Sequence, residues 1–317
     1  MEIIEPVREY LEQPDITDIL ISSAEDWLVE KAGQLRQVTS PFKSEQELRD
    51  WAIAVIRIGG SRIDIAKPIA EVSLKTEHGL IRFHCVLGGE CSESTQISIR
   101  RHSAKHFALR DLVNENFITE EQAKLLSAIL EAKENFVIVG GTGSGKTTLL
   151  RAFLQECSKE RVITIEDLAE LELTENAVSL RTRSANHEGA GEISTSLLLR
   201  EALRMRPDRL VIGEVRGQEL LVLLQALNTG HSGAGFTLHA NSASEAVSRM
   251  LAILAVAGMK PKLSKVLISA ALHWVIEVRR TPAGRTVVAI ERLALVDVWF
   301  TNPHEICWLA SIRSGAR

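Results

Sequence analysis

The stretch Gly140-Gly141-Thr142-Gly143-Ser144-Gly145-Lys146-Thr147-Thr148 constrains the fold of this 317-residue chain more than any other. It follows the apolar run Phe136-Val137-Ile138-Val139 and opens into Leu149-Leu150-Arg151-Ala152-Phe153-Leu154. That order reads strand, glycine loop, helix. It satisfies the spacing G-x-x-x-x-G-K-[ST], with Gly140, Gly145, Lys146 and Thr147 at the fixed positions. Glycines let the backbone wrap so that several N–H groups point into one cavity, and the helix N-terminus adds positive potential there. Lys146 is placed to neutralise β- and γ-phosphate charge, and the Thr147 hydroxyl to hold a magnesium ion. The loop therefore predicts nucleotide binding, and the rest of the chain must say what the nucleotide is for.

The length suits two domains. Residues 1 to about 105 read as a small α+β unit. Strands are expected at Ile16–Ile21 and Trp27–Glu30, and a capping box at Ser44 and Glu47 opens a helix with Leu48, Trp51, Ala52 and Val55 on one face. Short strands follow around Glu71–Leu74, Leu80–Val86 and Gln96–Arg100. Residues 103–118 read as a connector, and a second capping box, Thr119 and Gln122, starts the domain at 119–317 that contains the glycine loop.

Within that second domain a pattern recurs. Arg161–Ile165 is an apolar strand ending at Glu166-Asp167, Arg209–Gly213 one ending at Glu214, and Ala234–Leu238 one ending at His239. Four buried-type strands thus each deliver a polar group or the glycine loop at the carboxyl end. In open parallel α/β sheets that edge is where ligands bind. Between them, Leu198, Ala202 and Met205 mark a helix stopped by Pro207, and Ser242 and Glu245 cap another that closes at Gly258. Glu219–Leu227 is apolar on nearly every face, which predicts burial or a subunit contact. Trp274–Val278 and Thr286–Ile290 read as strands extending the sheet.

Hydrolysis of a nucleoside triphosphate needs charge stabilisation and an oriented water. Glu166 and Glu214 are the carboxylate candidates; a turn cap is the plainer reading of Glu166-Asp167 and a solvated strand end that of Glu214. His231 and His239 bracket the third strand in the settings Asn228-Thr229-Gly230-His231 and Thr237-Leu238-His239-Ala240-Asn241. Arg181, Arg204 and Arg216 stand among many arginines, most of them surface residues on a plain reading; a subset could reach γ-phosphate from a neighbouring domain or subunit.

Composition excludes some classes. The formal net charge of -4 argues against a general nucleic-acid binder. Cys85, Cys91, Cys157 and Cys307 form no C-x-x-C pair, so a zinc knuckle is not expected. No apolar run reaches the ~18 residues of a membrane span; Val266–Trp274 is short and contains His273. The acidic start Met1-Glu2-Ile3-Ile4-Glu5 lacks a signal-peptide n-region, so a cytoplasmic protein is expected, peripheral to the inner membrane through partners.

Assembled in order, these boxes resemble the type II/type IV secretion superfamily of motor ATPases, the group of GspE- and VirB11-like P-loop enzymes. The glycine loop is followed by Ile163–Asp167 as an aspartate box, Leu210–Gly217 as a Walker B strand, and Thr229-Gly230-His231 to Leu238-His239-Ala240-Asn241 as a histidine box. Leu180-Arg181-Thr182-Arg183 and Ala202–Arg209 look like the CpaF/TadA/TrbB-like branch, the tight-adherence pilus and conjugation ATPases. The first unit is similar more loosely, through Asp15–Ile19 and Gln96–Arg101, and departs from relatives at Gly88-Gly89.

The resemblance implies a PAS-like α+β domain followed by a RecA-like P-loop ATPase domain, assembled as a homohexamer that uses ATP and Mg2+ and works on an inner-membrane platform protein of a pilus or secretion system. It implies Glu166 as general base and Glu214 as the catalytic carboxylate behind the magnesium shell, with His231 and His239 at the phosphates. Arg82, Arg100 and Arg181 would reach the nucleotide, and Arg204 and Arg216 are further candidates. Two other classes stay open: a conjugative or other nucleic-acid translocase of the same core fold, and a nucleotide-gated scaffold that does not hydrolyse.

Overall fold

The computed structural model describes residues 2–31, 33–77, 79–89, 91–102, 107–168, 170–171, 176–183, 190–282, 284–295 and 306–313. The chain divides into two compact units, Met1–Lys105 and His106–Arg317.

In the first unit a 3-10 turn, Glu2–Val7, runs into the short helix α1 (Arg8–Leu11). Strands β1 (Ile16–Ile21), β2 (Trp27–Lys31) and β3 (Gln34–Val38) precede helix α2 (Glu45–Ile58). Strands β4 (Ile69–Thr76), β5 (Gly79–Val86) and β6 (Gln96–His102) complete an antiparallel sheet of order β3-β2-β1-β6-β5-β4. Helix α2 starts where expected: the Ser44 hydroxyl accepts from the Glu47 N–H, and the Glu47 carboxylate accepts from the Lys43 N–H. Alternate residues of the strands, among them Val72, Leu74, Ile81, Phe83, Ile97 and Ile99, are buried in one core with Leu48, Trp51, Ala52 and Val55 of α2. An aromatic chain runs Tyr10–Trp27–Phe42–Trp51–Phe83, with ring centroids 5.3–6.4 Å apart. Each such pair adds about 0.5–1.5 kcal/mol beyond area burial. Two-residue periodicity sends Arg82 and Arg100, which alternate with buried Ile81, Phe83 and Ile99, to the other face.

The second unit opens with α3 (Leu109–Asn114) and α4 (Glu120–Glu131). There follow β7 (Phe136–Val139), α5 (Lys146–Gln155), β8 (Val162–Glu166), β9 (Val178–Arg181) and α6 (Thr195–Ala202). Next come β10 (Arg209–Val215), α7 (Glu219–Leu227), β11 (Gly235–Leu238), α8 (Ala243–Val256) and α9 (Pro261–Ala271). The last strands are β12 (Trp274–Thr281), β13 (Gly284–Leu295) and β14 (Ile306–Arg313). They form one sheet of order β14-β13-β12-β7-β11-β10-β8-β9, parallel from β12 to β9 and antiparallel at β13 and β14. One apolar core contains residues of α6, α7, α8 and α9, and a second contains residues of α3, α4 and α5. Strand β7 feeds both: Val137 and Val139 enter the first, Phe136 and Ile138 the second.

Several local readings change. Residues 107–118 are more than a connector: α3 lies within them, and Leu109, Leu112, Phe117 and Ile118 are buried in the second core. The six-residue helix is too short to show a period in sequence. The helix expected to reach Met205 ends at Ala202, continues as a 3-10 turn to Met205, and stops at Arg206 with φ 54. Pro207 excludes its predecessor from the right-handed helical region, and Arg206 takes the left-handed one. Helix α7 is buried chiefly by α6, α8 and α9, which accounts for its apolar faces within one chain. Val266–Trp274 divides between α9 and β12, and no helix among the described residues is long and apolar enough to cross a membrane.

One buried side chain aligns the amino ends of three neighbouring strands. Asn135 Nδ2 donates to Ala271 O at 2.7 Å and its Oδ1 accepts from Ala234 N at 2.9 Å, while its backbone N–H donates to His273 Nδ1 at 2.9 Å. Fixing those starts levels the opposite, carboxyl ends of β7 and β11, which are equally long, while β12 runs on past them. Nearby, buried Arg209 at the start of β10 pairs with Glu160 and donates to Leu130 O at 2.6 Å. Breaking a buried pair from one side leaves charge and carbonyls unsatisfied, so Arg209→Ala is expected to cost about 3 kcal/mol. Urea unfolding of the purified chain checks this; a loss within about 0.5 kcal/mol, the range of ordinary surface changes, would contradict it.

Candidate nucleotide site

The glycine loop joins β7 to α5 at the carboxyl edge of the parallel sheet. Its shape requires glycine. A Cβ on Gly140 would stand 2.2 Å from Val278 O, and Gly143 and Gly145 have φ of 69 and 101. Helix α5 starts with no side-chain cap and no acidic residue in its first turn. The donors of that turn therefore face the loop without a competing carboxylate, the arrangement that suits an anion. Lys146 is buried, and its Nζ donates to Gly140 O at 3.0 Å and Gly141 O at 2.8 Å. Thr147 and Thr148 occupy the first turn beside it. A cleft of about 290 Å3 opens against the loop, lined by Gly140, Gly141, His239, Asn241, Glu245 and Arg249 among others. A larger hollow of about 400 Å3, around Lys159, Arg161 and Asp208, lies at the opposite, amino edge. The smaller cleft is the one that touches the phosphate cradle.

Three strand ends stand beside the loop because β7, β11, β10 and β8 are consecutive in the sheet. Glu214 is half-buried on β10. One carboxylate oxygen accepts from Arg216 at 2.6 Å and the other lies 3.1 Å from His239 Nε2. Burial pushes the Glu214 pKa up, but the Arg216 hydrogen bond and the positive charges of Arg216, His239 and Lys146 outweigh it and hold the carboxyl below its ordinary value. His239 is held below the usual histidine value by burial and by repulsion from Lys146, against the pull of Glu214. Nε2 of His239 thus donates to Glu214 when the ring is neutral and forms an ion pair with it when the ring is protonated; the lowered His239 value favours the neutral form. Arg216 also reaches Asp167 at 3.5 Å, tying the end of β8 to that of β10.

Glu166 behaves differently. It is buried, and one carboxylate oxygen accepts from the Glu170 and Leu171 N–H groups, each at 3.0 Å. Thr164 Oγ1 donates to the other at 3.3 Å. Burial outweighs these bonds and raises its pKa to about 7. It shares the carboxyl edge with Glu214: a Cβ on Gly213 would come within 3.1 Å of its Cγ. The side chain therefore caps the turn that follows β8 and titrates where a general base is most effective.

Two sequence candidates are not brought to this edge of their own chain. His231 lies in the loop before β11, at the amino edge of the sheet, with Nδ1 3.2 Å from Ala226 O. Arg204 lies in the turn before β10, also at the amino edge, with its side chain 77% exposed and paired with Glu201. Both precede a strand instead of following one, and a parallel sheet puts those positions on opposite sides. Arg181 ends β9 as the register partner of Glu166 and is exposed. Arg82 and Arg100 are cross-strand partners in the first unit, and Arg82 pairs with Glu71 at 2.5 Å.

The structure adds residues that the motif reading passed over. Glu277 ends the pairing of β12 with β7, and its buried carboxylate accepts from Ala243 N at 2.9 Å, fixing the start of α8 just beyond His239. Thr237 Oγ1 donates to Gly213 O at 2.5 Å between β11 and β10. Arg285 donates to Gly143 O at 3.0 Å, and the Phe117 ring lies where a Cβ on Gly145 would come within 2.8 Å. A charged residue closing the apolar run Trp274–Ile276 was the one available signal for Glu277. The others depend on which distant segments meet.

A parallel sheet carrying a phosphate loop and two carboxylates along one edge defines a RecA-like P-loop fold. The chain belongs to the family described as Type II/IV secretion system protein, which it matches over residues 4–285. A Mycobacterium tuberculosis protein whose name assigns it provisionally to conjugal transfer, Rv3659c, is 38% identical over 293 residues, covering 90% of this chain and 82% of the relative. A Sinorhizobium fredii protein named "Probable conjugal transfer protein TrbB" is 34% identical, covering 74% of this chain and 71% of its own. The Legionella pneumophila ATPase DotB superposes with a TM-score of 0.66 at 22% identity, over 92% of this chain and 80% of that one. The pilus retraction motor PilT superposes with a TM-score of 0.65 at 21% identity, over 94% and 84%.

The raised Glu166 value sets a pH dependence. A carboxyl whose folded pKa stands above its ordinary 4.5 stabilises the fold in the protonated form; that contribution is complete below about 4.5 and is lost as pH rises through about 7. Glu166→Gln keeps an acceptor oxygen for the two N–H groups and cannot ionise. The melting temperature of the variant relative to wild type is expected to rise from about pH 6 to about pH 8. A pH-independent difference would show that Glu166 is not held protonated.

Proposed function

We propose that this chain is an ATP-hydrolysing motor that powers pilus assembly or type II/IV-like secretion. It would act from the cytoplasmic face, as a homohexamer, through an inner-membrane platform protein. The observation that carries the catalytic part is the hydrogen-bonded set Glu214, His239 and Arg216, close enough to Lys146 for its charge to act on both Glu214 and His239. Family membership and relatives named for conjugal transfer support a place in a transfer or secretion apparatus.

In this reading Gly140, Gly141, Thr142, Gly143, Ser144 and Gly145 wrap the phosphates with backbone N–H groups, while Lys146, Thr147 and Thr148 meet them at the start of α5. The residues present also fit a magnesium ion, which takes few protein oxygens beside substrate phosphate and water. The Thr147 hydroxyl would hold it directly and Glu214 through water, since a carboxylate has lone pairs beyond those given to Arg216 and His239. The ion would supply charge neutralisation at the phosphates. Glu166 would take the proton from the attacking water. His239 would hold Glu214 in place, and Arg216 would link the two carboxylate-ended strands. Arg82, Arg100 and Arg181 remain candidates for contacts completed by another domain or subunit.

The names of the relatives favour a second reading, a motor of conjugative DNA transfer. The net charge of -4 argues that such a motor would not itself grip DNA over its whole surface. Stimulation of turnover by DNA, lost with added salt, would decide for direct translocation.

Lys146→Ala is expected to abolish phosphate release by the purified chain. Glu214→Gln is expected to retain ATP binding while turnover falls about 100-fold or more, the scale of losing a transition-state electrostatic contact. Wild-type turnover by Lys146→Ala would overturn the catalytic assignment, and loss of binding by Glu214→Gln would make that carboxylate structural.

A further inference from the structure

Resting on the nucleotide-site reading, we propose that Arg285 is a positioning residue for the phosphate loop, holding its N–H donors in the orientation that grips phosphate. The geometry begins at β12. This strand ends its pairing with β7 at Glu277, opposite Val139, yet continues to Thr281 before returning as β13. The β12–β13 hairpin therefore overhangs the edge where the glycine loop leaves β7. Arg280 and Arg285 are cross-strand partners at its tip. Arg285 Nε donates to Gly143 O at 3.0 Å, and its Cδ lies 3.3 Å from where a Cβ on Gly145 would stand. Arg280 Nη1 comes within 3.6 Å of the same construction on Gly143.

The peptide after Gly143 is the lever. In a trans peptide the carbonyl and the following N–H point in opposite directions. Anchoring Gly143 O to the hairpin directs the Ser144 N–H the other way, where it meets Gly141 O at 3.4 Å, too far for more than a weak bond. That donor is thus aimed across the loop and weakly committed, which suits a phosphate oxygen. Gly143 has φ 69, a conformation without side-chain restraint, so the peptide needs an external hold. The base of the hairpin is itself fixed: Val287 N donates to Phe117 O at 2.9 Å and Val287 O accepts from buried Gln122 Nε2 at 3.0 Å. Beside Arg285, the Phe117 ring closes on the same side of Gly145. The loop is held by two segments that the glycine motif does not contain.

The test uses the full chain with Arg285→Ala and Arg285→Lys, a fluorescent ATP analogue and steady-state phosphate release. A charge-assisted bond to one carbonyl is the quantity removed, so Arg285→Ala is expected to raise both the analogue Kd and the KM for ATP about tenfold. Its kcat should stay within about threefold, since the loss falls on binding. Arg285→Lys, which can still donate to Gly143 O, is expected to recover most of the KM. A merely structural role would lower the melting temperature and the active fraction without this split or this rescue. Wild-type KM and Kd in Arg285→Ala overturn the proposal, as does a raised KM that Arg285→Lys leaves unchanged. Wild-type protein that binds no nucleotide overturns the nucleotide-site reading, and the proposal with it.

Discussion

The backbone of β12 runs so close to Gly140 that a Cβ there would sit 2.2 Å from Val278 O. The rest of the second unit depends on that approach. Because β12 pairs parallel with β7 up to this point, the chain leaving β7 has one route, out of the sheet plane and over its carboxyl edge. Only a residue without a side chain can take it. The loop then wraps, α5 starts with its donors facing the loop, and Lys146 folds back onto the Gly140 and Gly141 carbonyls. The continuation of β12 past the sheet places Arg285 over the same loop.

The site is assembled by strand order. Strand β7 has β12 on one side and β11 on the other, followed by β10 and β8. His239, Glu214 and Glu166 therefore arrive side by side although their sequence separations differ widely. Their environments then divide them. Glu214 meets cations and ionises below the ordinary value, whereas Glu166 is buried against backbone donors and titrates at about 7. Two carboxylates with opposed shifts on one edge are a pairing that suits separate electrostatic and proton-accepting roles.

Much of this was legible in the residues. An apolar run ended by a charged residue marks a buried strand and its carboxyl end at once, which is why Glu166, Glu214 and His239 could be picked out. The same rule, applied with direction, explains His231 and Arg204. Each stands before its strand, so each lies at the amino edge of its own chain, and proximity in sequence to a strand was a misleading guide. Helix α3 and strand β9 were too short to show a period, and they exist because buried neighbours cover Leu109, Leu112 and one face of β9. The buried hub at Asn135 left no sequence mark, since an asparagine before a strand is most simply a turn residue.

The sequence by itself determined the phosphate loop, the alternation of strands and helices, and the two capping boxes, because these follow from local sterics and short-range hydrogen bonding. It also determined which strand ends are polar. Only the tertiary structure decided that those ends are neighbours, that Glu277 fixes the start of α8, and that Arg285 and Phe117 hold the loop from outside. Those contacts join segments far apart in the chain. They exist through strand order and close backbone approach, which no local pattern of residues records.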